Sequence, residues 1–200
     1  MQLDGTTSWM MKIDRWAELL DMALWFRAAE RIDVPAAGVV PGPLDAELSA
    51  DPTADPADAA ELAAGWQAWW RTVVLTVSDP GDLTLARSFS PPDFTGLREW
   101  PALSRVVAGR WEAAARWHNT RKRTGLRAGL HHDPRMNTVV TEVEQELGRK
   151  ARPFALDLVV VPVRDDEIRL VAPGRYLVPE RVYDSPDWPG ILRSLVVPVA

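Results

Sequence analysis

The residues best equipped for chemistry crowd between positions 116 and 135. His118, His131 and His132, the last followed directly by Asp133, carry groups able to bind a metal. Glu142 and Glu146 follow one helical turn apart. His118, His131, His132 and Glu142 outline a His/Glu pocket that would suit an enzyme of unrecognised type. Against this, the chain has no HExxH pairing, and two adjacent histidines do not readily close on one ion. The plainer expectation is that the histidines lead into a capped helix, that the glutamates form its wet face, and that no cofactor is bound.

The same stretch is basic. Arg105 to Arg135 holds eight Lys and Arg residues against two acids, Glu112 and Asp133. Arg121, Lys122, Arg123 and Arg127 could grip phosphates, a contact that would be salt-dependent and blind to sequence. Two observations oppose a nucleic-acid function. No aromatic residue lies between Asn119 and His132 to stack on a base. The whole chain also carries a net charge of −5, which repels a polyanion. The run reads instead as a solvated linker over 119–132, or as a surface that docks an acidic partner. The chain has such a segment of its own at 45–61, within a stretch from Ile32 to Trp70 that contains seven acids and no Lys or Arg.

Other reactive constellations are missing. There is no Cys, which excludes disulfides, thiol catalysis and Cys-ligated metals. No G-x-S-x-G, P-loop or G-x-G-x-x-G occurs. Asp157, on an apolar run, could be a tuned acid, but an ion pair with Arg169 or Arg175, or a place at an edge exposed to water, is the plainer expectation. Ten tryptophans remain. Trp66, Trp69 and Trp70 follow the apolar stripe of a helix and read as core. Trp100, Trp117 and Trp188 fall at element ends, where a partly exposed ring can anchor a protein partner.

The element that organises these groups is 154–172, rich in β-branched residues. It reads as a hairpin turning at Arg164–Glu167, pairing Val163 with Ile168 and Val161 with Leu170. That register places Val159, Val161, Val163, Ile168 and Leu170 on one face, and Leu158, Val160 and Val171 on the other. Pro173-Gly174 turns the chain into a third short strand, Arg175–Val178. Helices are expected from Ser8 to about Ile32, after the N-cap pair Asp55-Pro56, after Trp100-Pro101 to about Asn119, after Asp133-Pro134, and after Ser185-Pro186. Residues 1–7 should fray, and the Pro-rich acidic loop 33–55 should be the most mobile part.

The expected class is α+β: a helical, Trp-rich part, 1–130, packed with a C-terminal α-β-β-β-α unit, 131–200, around a small antiparallel sheet in one globule. Composition suggests a GC-rich bacterial genome. The start MQLDGTTSWMMK lacks the pattern of a signal peptide, and no run is long enough to span a membrane, so the cytoplasm is the expected location. The leading functional expectation is a non-catalytic protein that binds another protein as an accessory, inhibitor or immunity-type factor. The contact residues would be Trp100, Trp117, Trp188, Arg121, Lys122, Arg123 and Arg127.

Overall fold

A computed structural model describes residues 9–76, 87–129, 133 and 135–200. The expectations for residues 1–7 and for His131, His132 and Pro134 lie outside the described residues. Among the described residues the chain forms six α-helices and one four-stranded sheet, an α+β fold.

The N-terminal helix is shorter than its periodicity suggests. Met10–Asp14 is a strand, β1, and helix α1 runs from Glu18 to Ala29. Trp9, Met11 and Ile13 alternate, so the residues that open a helical stripe also satisfy a period of two. The backbone of β1 is satisfied by lying parallel to β2 (Ala155–Val161), with Met10 opposite Ala155 and Asp14 opposite Val159. The Asp14 carboxylate then accepts from Trp16 N at 2.9 Å and turns the chain towards α1.

Helix α2 (Ala59–Thr76) begins as expected: Asp55 accepts from Ala57 N at 2.9 Å, and Pro56–Asp58 forms a 3-10 turn leading in. Helix α3 (Pro101–Arg127) corrects the expected linker, because it continues two turns past Asn119. Arg and Lys are good helix formers, and the Arg123 guanidinium bonds back to Asn119 O. Helix α4 (Arg135–Leu147) ends at Gly148, whose φ of 63° is the left-handed C-cap conformation.

Strands β3 (Arg169–Ala172) and β4 (Arg175–Pro179) complete a mixed sheet in the order β1-β2-β4-β3. The expected pairing of 154–163 with 168–172 is therefore corrected. Strand β4 inserts between them, parallel to β2 and antiparallel to β3. The reason lies in Arg164–Glu167, which is no tight turn. It leaves the sheet and docks on the Pro-rich loop: Asp45 N donates to Pro162 O, Arg164 N to Pro43 O, and Gly42 N to the Asp165 carboxylate. The tight hairpin sits instead at Gly174, where φ is 73° and a Cβ would come within 2.5 Å of Ala155 O. With β4 as partner and a bulge between Leu170 and Ala172, Val171 and Ile168 exchange the faces expected for them, and Leu170 is exposed.

The alternation within β2 holds. Val159 and Val161 pack with Leu177 beneath α1, α2 and α3. Leu156, Leu158 and Val160 pack with Val178 beneath α4 and the last helices, α5 (Glu180–Tyr183) and α6 (Trp188–Val196). Trp66 and Trp70 stack at 5.4 Å within the first core. The Pro-rich loop, expected to be mobile, is pinned. Arg27 donates to the carbonyls of Val34, Pro41 and Gly42, Trp70 Nε1 to Val39 O, and Glu30 accepts from Thr53 N and Ala54 N.

Candidate functional site

The point where α1, α3 and α5 meet is held by ions rather than by apolar contact. Asp21 on α1 is almost fully buried. Its Oδ2 lies 2.8 Å from His118 Nδ1 and 3.1 Å from Arg121 Nη1, two groups one helical turn apart on α3. Arg121 also donates to Arg15 O at 2.7 Å and to Glu180 Oε2 at 3.1 Å. Arg15 grips Asp184 through both nitrogens at 2.9 Å and reaches Glu180 Oε1 at 3.1 Å. A buried carboxylate without such partners would be strongly destabilising. Burial nonetheless raises the Asp21 pKa, and the His118 and Arg121 contacts offset only part of that rise. For Arg15 the balance reverses: burial works against the cation, but Asp184 and Glu180 hold its pKa above the ordinary value.

The network continues to Tyr183, whose ring stacks against the guanidinium groups of Arg15 and Arg135 at 4.8 and 5.0 Å. Its hydroxyl donates to Asp133, which Arg135 also grips. Burial and that bond raise the Tyr183 pKa. Asp133 is lowered despite burial, because Arg135 and Tyr183 stabilise its charge.

Over this frame lies a groove of about 340 Å3 between Trp16, the C-terminal half of α3 and Glu180. Trp117, Thr120, Arg121 and Thr124 form its helical wall. Gly125 makes the wall possible: a Cβ there would stand 2.7 Å from the Trp16 ring. Beside the wall, Arg116, Arg123 and Arg127 recur at i, i+7 and i+11 and so form one exposed stripe.

No family model, curated protein or solved structure matches this chain.

The sites expected from sequence divide clearly. Arg121 and Trp117 line the groove, and Lys122, Arg123 and Arg127 are exposed on the same helix. Trp100 is half-buried over Gly65, where a Cβ would lie 2.8 Å from its ring. Trp188 is fully buried in the second core, tilted against Tyr183 at 4.9 Å, so its expected exposure is corrected. His118 is committed to Asp21, while Glu142 is exposed on α4. Among the described residues no three His, Asp or Glu side chains group as metal ligands. Asp157 pairs with Arg175 at 2.7 Å, as expected. Sequence reasoning missed Asp21, Trp16 and Glu180. The pairing of Trp16 with Gly125 leaves no local pattern to read, and a carboxylate on the apolar face of α1 was the one available signal for Asp21.

Proposed function

We propose that this chain is a non-catalytic, cytoplasmic bacterial protein that works by binding another protein, and that the groove between Trp16, α3 and Glu180 is its contact site. One observation carries the reading. The groove is framed by buried ion pairs, and its two ionisable wall groups, Arg121 and Glu180, engage each other at 3.1 Å instead of facing a substrate. Half-buried tryptophans around such a groove suit a protein contact, where large rings anchor a partner. No helix among the described residues is long and apolar enough to cross a membrane.

A photo-crosslinking amino acid placed at Thr124, on the groove wall, tests this in the host. The expected result is a discrete crosslinked protein that is missing when the same group stands at Thr141, on α4. No crosslink at 124, or equal crosslinking at both positions, overturns the reading.

A further inference from the structure

We infer that the groove's partner presents a carboxylate-rich segment, held by the arginine stripe of α3; this rests on the protein-binding reading above. Arg116, Arg123 and Arg127 are exposed, and no carboxylate lies within ion-pair distance of them among the described residues. Arg123 bonds only within its own helix, to Asn119 O and Thr120 Oγ1. The cations of the other half of α3 are occupied: Arg105 lies 3.7 Å from Asp58, and Arg110 pairs with Glu30. The free charge is thus confined to the turns that wall the groove. Eleven residues of helix span about 16 Å, the reach of a short peptide segment.

An acidic protein segment fits this surface better than nucleic acid does. Duplex DNA carries a charge about every 1.7 Å, and its affinity grows with the number of phosphates neutralised. Three arginines neutralise few. Glu180 stands in the groove itself, and the chain is net negative. A segment with a few carboxylates and one or two apolar side chains matches both the stripe and the tryptophan-lined groove. Its capture would be salt-sensitive, because exposed charges are screened beyond about 10 Å at 0.1 M salt.

The test uses the full chain and a labelled twelve-residue peptide containing six Glu and two Leu, read by fluorescence anisotropy at low and physiological salt. The comparison probes are the same peptide with Lys for Glu, and a twelve-nucleotide single strand and duplex. The acidic peptide should bind, the Lys peptide should not, and the triple variant Arg116→Gln/Arg123→Gln/Arg127→Gln should weaken binding at least tenfold. Glutamine keeps helix propensity, and unchanged circular dichroism establishes that the variant is folded. No binding of the acidic peptide, equal binding by the triple variant, or tighter binding of either DNA overturns the inference. So does self-association in sedimentation that the triple variant abolishes, since the occupant would then be a second copy. A Thr124 crosslink that persists in the triple variant removes the inference but leaves the protein-binding reading standing, whereas loss of every Thr124 crosslink in the unmodified protein removes that reading itself.

Discussion

Two oppositely charged segments in this chain use their charge in opposite directions. The acidic segment 32–70 turns much of its charge to construction. Asp55 caps the entry to α2, Glu61 accepts from Ala102 N at the start of α3, Asp45 lies 3.0 Å from Arg164, and Asp58 faces Arg105. The loop is further held by Glu30 and Arg27, both buried. The basic turns 116–127 send His118 and Arg121 inward to Asp21; Arg116, Lys122, Arg123 and Arg127 face out. A segment with few neighbours of regular secondary structure must be tied down by polar bonds, while a helix satisfies its own backbone and leaves its side chains free. The contrast separates charge that folds the chain from charge available for recognition.

The sharpest way to break that contrast is at the acidic side's anchor. Glu30→Ala removes the carboxylate that pairs with Arg110 and accepts from the amides of Thr53 and Ala54, leaving Arg110 the Asp51 carbonyl and the Trp25 ring. Breaking a buried pair by removing one partner should cost about 3–5 kcal/mol, read by urea denaturation. A loss below about 1 kcal/mol would mean that the loop is held by something other than its ions. Gly125→Ala comes next. The added methyl meets the Trp16 ring at 2.7 Å, and overpacking of this kind should cost about 1–3 kcal/mol. The same change should shift Trp16 off α3 and weaken binding in the groove. Full stability with an unchanged tryptophan emission spectrum would contradict the close fit.

How much of this was readable beforehand follows the range of the interactions. Asp55-Pro56 and the apolar stripe of Trp66, Trp69 and Trp70 were legible because each is a signal local to a few residues. The alternation of β2 was legible for the same reason. The partner of β2 was not: inserting β4 depends on Asp165 finding Gly42 N, 123 residues away in sequence. The start of the chain is ambiguous for a different reason, since Trp9 and Ile13, four residues apart, share one face of a helix and one face of a strand alike until a neighbouring strand decides. At the groove, Arg121 and Trp117 were picked out by type. Trp16, Asp21 and Glu180 were not, because what makes them a site is contact across α1, α3 and α5.

A gentler perturbation is pH, which acts on the buried ions. Asp133 and Asp165 have lowered pKa values: each is opposed by burial, but Arg135 and Tyr183 hold the first charged, and Arg169 with the Gly42 and Glu167 amides the second. Their contribution is complete above the ordinary Asp range near pH 4 and disappears as the pH falls through their folded values. Asp21 is raised by burial, so its contribution runs the other way and declines as the pH rises through its folded value. Stability measured against pH should therefore fall on acidification, and Asp165→Asn should flatten that fall. The difference between the unmodified protein and Asp21→Asn should move against the unmodified protein as the pH rises. If both variants merely shift the curve without changing its shape, these groups do not titrate as the buried contacts require.

The smallest effect is also the most telling for the basic side. The change Arg116→Gln/Arg123→Gln/Arg127→Gln removes three charges that meet no carboxylate among the described residues. Even paired surface charges contribute only about 0–1 kcal/mol, and surface substitutions away from structural features usually stay within about 0.5 kcal/mol. The triple variant should therefore unfold at the same urea concentration as the unmodified protein, with any change below about 0.5 kcal/mol. Removing like charges spaced along one helix could even stabilise it slightly, since repulsion between such neighbours is relieved. A substantial loss would show that the stripe is engaged in folding, and the two segments would then use charge alike. Unchanged stability leaves the stripe with no structural work to explain it, and that is the condition under which an acidic partner accounts for its presence.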